Sequence, residues 1–139
     1  MKWLAIITAL PLLLAACAPP ATTRPSPPPE AQPLAEPGAH DQRLDDVIQE
    51  VRDALEPRYG RLEIEAYRLP AGAALPTIAA HYDAALRGWT AEPALPRHIR
   101  AAQAQAWKKG GTVLAIALIE TPVAGEQSDY AVLVVATKS

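Results

Sequence analysis

Thr112-Val113-Leu114-Ala115-Ile116-Ala117-Leu118-Ile119 and Tyr130-Ala131-Val132-Leu133-Val134-Val135-Ala136-Thr137 are apolar at nearly every position. Successive strand residues point to opposite faces, so Leu114, Ile116 and Leu118 lie on one side and Val113, Ala115 and Ala117 on the other. A strand apolar on both sides belongs in the middle of a sheet or under cover on both faces. These two segments, joined by the Pro122-to-Asp129 loop, therefore set the architecture, and the rest of the chain is read by how it covers them.

Directly upstream, Ile99 to Lys109 reads two ways. The run Ala101-Ala102-Gln103-Ala104-Gln105-Ala106 has high helix propensity, and Gly110 suits a helix end. Yet Ala102, Ala104 and Ala106 also alternate with Gln103, Gln105 and Trp107, and Lys109-Gly110-Gly111 leads straight into Thr112 as a hairpin turn does. The hairpin is the preferred reading. Arg61 to Leu69 alternates too, Leu62, Ile64 and Ala66 against Glu63, Glu65 and Tyr67, and Pro70 to Gly72 turns the chain.

Two stretches have helical spacing instead. Asp41 caps the first, which is expected to run to Glu56 and stop before Pro57, with Leu44, Val47, Ile48, Val51 and Leu55 on one stripe. Pro76 opens the second and Gly88 closes it, with Ile78, Tyr82, Ala85 and Leu86 inward and Trp89 entering a short strand. Residues 40–139 are thus expected to form one α+β domain, a small, mostly antiparallel sheet with two helices. The layout of Tyr82-Asp83, Leu86 and Gly88-Trp89 before a hairpin resembles uncharacterised small exported α+β domains of bacteria, a resemblance that covers about half the domain and implies a fold more than an activity.

The first forty residues are of another kind. Nine of the fifteen prolines lie at or before Pro37. Lys2 precedes an apolar run from Trp3 to Ala16, too short to span a bilayer, where about twenty residues are needed, and broken by Pro11. This pattern describes a secretory signal peptide over residues 1–16. Its end, Leu14-Ala15-Ala16-Cys17, resembles the lipobox of bacterial lipoproteins. That resemblance implies diacylglyceryl transfer to the Cys17 sulfur, cleavage before Cys17, and anchorage in the membrane by lipid, palmitate among the acyl chains. Ala18 in place of Asp implies the outer membrane, facing the periplasm, in a Gram-negative host. Cys17 is the only cysteine, so no internal disulfide can form.

From Ala18 to Ala39, eight of twenty-two residues are proline. Such a segment has little to bury against its ordering entropy, so residues 17–39 are expected to form a disordered tether. Fully extended, it would reach about 70 Å.

Chemistry is sparse. No serine stands in a nucleophile elbow, and Cys17 is consumed by lipidation. His40, His81 and His98 are far apart, with no His-x-x-x-His spacing, so no metal site is expected. His81 and Asp83 diverge on a helix and read as flank residues, and Glu63 and Glu65 as solvated carboxylates beside Arg61. No cofactor motif exists, and no basic stripe or aromatic platform for nucleic acid. An enzyme is not expected. Trp89 and Trp107 suit core anchors, or one of them lines a binding surface. If two helices cover one sheet face only, the other exposes an apolar patch with Val113 and Val132, fit for self-association or for a protein or cell-wall partner. The expected function is a membrane-anchored, non-enzymatic binding or assembly module of the cell envelope. The alternative is a small-ligand binder or enzyme with a pocket between helices and sheet.

Overall fold

The computed structural model describes residues 24–34, 42–100, 102–120, 122 and 129–139. Along the chain run β1 (Gln32–Pro33), α1 (Gln42–Tyr59), β2 (Glu63–Pro70), α2 (Leu75–Ala85), β3 (Thr90–Ala91), β4 (His98–Ile99), β5 (Ala102–Lys109), β6 (Thr112–Ile119) and β7 (Tyr130–Lys138). They form a seven-stranded sheet in the order β1-β2-β7-β6-β5-β3, with β4 beside β5. Every pairing is antiparallel. The architecture is the expected small α+β fold with an antiparallel sheet and two helices.

The two doubly apolar segments are central, as their composition requires. β6 lies between β5 and β7 and is buried along almost its whole length. The alanine-rich segment is a strand, β5, turned into β6 by Gly110 and Gly111. Gly110 takes φ +60°, where a side chain would be strained, which favours glycine at this two-residue turn.

Each face of the sheet has its own helix. Under α1 lie Val113, Ala115, Ala117 and Ile119 of β6 with Val132, Val134 and Ala136 of β7, packed on Val47, Val51 and Leu55. Under α2 lie Leu114, Ile116, Leu118, Leu133 and Val135, packed on Ile78, Tyr82 and Leu86. Side-chain size tells the faces apart. Ala102, Ala104, Ala106, Ala115, Ala117 and Ala136 floor the α1 side, which lets a long helix approach closely. The bulkier leucine and isoleucine face needs only the shorter α2. The expectation of an exposed apolar face is therefore corrected: Val113 and Val132 are 1% and 2% exposed and belong to the core.

Two boundaries also move. Helix α1 passes through Pro57 to Tyr59. Proline removes one hydrogen bond and crowds the preceding turn, but so near the end the loss is small. The Gly60 amide donates to the Glu56 carbonyl at 2.8 Å and closes the helix. Helix α2 stops at Ala85, and the Leu86 amide still donates to the Tyr82 carbonyl at 2.8 Å.

The larger correction concerns the proline-rich segment. Residues 24–34 do not stand off the domain; they lie along it. Gln32 and Pro33 pair with Arg68 and Tyr67 of β2, and the Leu34 amide donates to the Ala66 carbonyl at 3.0 Å. Pro28 is buried, and His81 Nε2 sits 2.7 Å from the Ser26 carbonyl. Arg24 bridges Glu63 and Glu65, the latter at 2.9 Å. Backbone pairing at a sheet edge tolerates proline, whose missing N–H costs nothing where it faces away from the sheet. The remaining tether residues, with Cys17 and the signal segment, lie outside the described residues.

Candidate functional site

One carboxylate inside the domain stands apart. Glu92 follows the short strand β3, and its amide donates to the Ala106 carbonyl at 2.9 Å, which extends the pairing with β5. The residue is 3% exposed. Its carboxylate accepts from the Tyr59 hydroxyl, from Arg58 Nη1 at 3.2 Å and from the Ala94 amide at 3.0 Å. Lys108 Nζ is 3.7 Å away. The end of α1 supplies Arg58 and Tyr59, and β5 supplies Lys108. A buried ion needs this many partners to offset its lost hydration.

Burial pushes the Glu92 carboxyl up, but the Tyr59 hydroxyl, the Ala94 amide, Lys108 and Arg58 together outweigh it and hold its pKa below the ordinary carboxylate value. Tyr59 is shifted the other way, by burial first and then by its bond to the Glu92 anion. Neither group is therefore poised to exchange protons near neutrality. Their joint effect is positional: Arg58 and Lys108 are held in place with their outer parts in water, at 60% and 37% side-chain exposure.

Both cations border an open cleft of about 460 Å³, lined also by Tyr59, Thr90, Lys109 and the Gly110–Gly111 turn. Three positive side chains around one already satisfied carboxylate give the cleft a net positive field, suited to an anionic group. Among the described residues, no group of three His, Cys, Asp or Glu side chains is placed to hold a metal ion. A second cleft, of about 470 Å³, lies between the proline-rich segment and the start of α2, where Pro28, Leu69, Ile78 and His81 meet.

The residues singled out in the sequence are dispersed. Trp107 is 4% exposed; its indole N–H donates to Asp83 at 2.7 Å and its ring lies 6.0 Å from that of Tyr82. It is a core anchor. Asp83 is thus an acceptor for the indole and not simply a solvated flank residue. Trp89 is half-buried against the α2 cluster. Val113 and Val132 are inside, and His98 is exposed on β4. Arg24, rather than Arg61, pairs with Glu63 and Glu65. Glu92 was not singled out, and one acidic residue between Ala91 and Pro93 carries no signal of its burial.

The sign of the Glu92 shift gives a testable pH dependence. A depressed folded-state pKa adds stability above the unfolded carboxyl value, about 4.3, and that stability is lost as pH falls through the folded value. Glu92→Gln should therefore cost about 2 kcal/mol at neutral pH. The gap between wild type and variant should close as pH drops toward 3. Urea titrations at several pH values check this, and a gap that widens in acid contradicts it.

The chain matches no protein-family model, no curated protein and no solved structure. The class of the protein is thus defined by the fold alone, an α+β domain with one helix on each sheet face.

Proposed function

We propose that this chain is a lipid-anchored protein of the cell envelope, held through Cys17, with its α+β domain a non-enzymatic binding module. The observation that carries the anchor is Leu14-Ala15-Ala16-Cys17 at the end of a short apolar run. Two or more acyl chains suffice for stable membrane attachment. Among the described residues no helix is long and apolar enough to cross a membrane. In a host with two membranes, Ala18 favours the outer one. For the binding role, the support is the cationic cleft of Arg58, Lys108 and Lys109, which suits an anionic group on a protein, cell-wall or lipid partner.

Fractionation tests the anchor. The wild-type chain should sediment with membranes and incorporate labelled palmitate, and Cys17→Ser should lose the label entirely. A wild-type protein without label removes the proposal. A second reading, a small-ligand domain or enzyme, is favoured by the cleft beside His81. That cleft is bordered mainly by proline, alanine and leucine or isoleucine side chains, which suits an apolar ligand better than a reaction centre.

A further inference from the structure

The packed proline-rich segment changes how an anchored domain sits. Arg24 is fixed to Glu63 and Glu65 at the start of β2, and with Pro25 it borders a small cleft shared with Trp89, Thr112 and Lys138. The chain coming from Cys17 therefore arrives at one particular end of the sheet. Only residues 18–23, six in number, separate Cys17 from Arg24. The seven Cα–Cα steps from Cys17 to Arg24 span about 25 Å at most. The seven or eight steps of a central strand alone span about 23–27 Å, and the turns at its two ends lengthen the domain further. The connection is thus too short to run the length of the domain and present its far end to the membrane.

That near end is the basic one. Antiparallel pairing gathers there the end of α1, the β5–β6 turn, the end of β7 and the chain between α2 and β3. These bring Arg58, Arg87, Lys108, Lys109 and Lys138 together. Among the described residues Arg87, Lys109 and Lys138 make no ion pair, whereas of the acids nearby Glu63 and Glu65 are paired with Arg24, Glu56 with Arg52 and Glu92 with Arg58 and Lys108, and Asp83 accepts from the Trp107 indole while keeping its charge. The far end carries Glu30, Asp45, Asp46, Glu50, Glu120 and Asp129 against Arg43, Arg68, Arg97 and Arg100; Arg68 lies over the Tyr130 ring, and Arg100 is paired with Asp46 and Glu50.

We infer that this basic end of the sheet lies against anionic lipid headgroups, with Trp89 at the level of the interface. The inference rests on the Cys17 anchor proposed above. Basic side chains held within a Debye length of an anionic surface are attracted to it, and tryptophan favours the headgroup region. Arg58, Lys108 and Lys109 around the open cleft then serve as a phosphate-binding surface.

The acylated protein, reconstituted into vesicles of phosphatidylcholine with or without phosphatidylglycerol, tests this. The acyl chains are brominated near the ester to quench indole fluorescence. Trp89 should be quenched in the phosphatidylglycerol vesicles and much less in phosphatidylcholine alone. Trp89→Phe should abolish the quenching, because Trp107 is buried. Lys109→Glu with Lys138→Glu should suppress it without releasing the protein from the vesicles, and high salt should do the same. Absent quenching, or equal quenching in both lipids, from a protein that floats with the vesicles overturns the inference and leaves the anchor intact. A purified protein that carries no acyl chain and does not float overturns the anchor, and the inference with it. Cross-linking of Lys109 or Lys138 to an envelope protein, with Trp89 unquenched, assigns this end to a protein partner instead.

Discussion

Lysine in place of Val134 should unfold the domain, and Val113→Lys and Val132→Lys should approach the same result. All three valines lie on the α1 face, at 1%, 1% and 2% exposure. The cluster around them is mainly alanine, valine, leucine and isoleucine, and Glu92, which lies toward Val113 through its cross-strand neighbour Lys108, already has its partners. Burying an unpaired charge costs several kcal/mol even after the structure relaxes, and a domain of this size has about 5–15 kcal/mol in all. Val113→Lys should be the mildest, because Val113 is one residue into β6 and a lysine stem there can reach toward water. Circular dichroism and urea titration of the purified domain check the result. Folded variants that merely change from dimer to monomer would return these positions to an association surface.

The second large effect is expected at Trp107. Its ring fills the α2 side of the sheet beside Tyr82, and its N–H is committed to Asp83 at 2.7 Å. Trp107→Ala should cost about 3–5 kcal/mol by leaving a cavity. Trp107→Phe keeps most of the apolar contact and loses the hydrogen bond, a cost of about 1–2 kcal/mol. Asp83→Asn retains an acceptor and should be nearly neutral. If Trp107→Ala keeps full stability and instead weakens an interaction with another molecule, the residue belongs to a binding surface.

The strands were legible because their period is short and their neighbours are local. Alternation in Arg61 to Leu69, and double-sided hydrophobicity in β6 and β7, follow directly from which side chains are apolar. The hairpin was legible from Lys109-Gly110-Gly111, a turn that only a few residues can make. Which helix covers which face was not, because helical spacing marks an inward stripe without saying on what it packs. A hint was present all the same: one side of β5 and β6 carries Ala102, Ala104, Ala106, Ala115 and Ala117, and the other carries Leu114, Ile116 and Leu118 on β6 with Gln103, Gln105 and Trp107 on β5. One floor suits a close, long helix and the other a short one.

The candidate site was less legible. The burial of Glu92 depends on Tyr59 and Lys108, which are distant in sequence and brought to it by α1 and β5. The packing of residues 24–34 was missed for a different reason. Composition measures what a segment can bury through its side chains, whereas this one is held by two paired residues, a bridging arginine and a carbonyl beside His81. Backbone pairing leaves little trace in composition.

The lipid anchor is the claim on which the proposed role and orientation both depend, and the mature amino terminus tests it most directly. Mass spectrometry of the protein extracted from native membranes should find an amino-terminal peptide that begins at Cys17 and carries a diacylglyceryl thioether, with or without a third acyl chain on the amine. A terminus elsewhere, or a peptide in which Cys17 is a free thiol, would contradict the account.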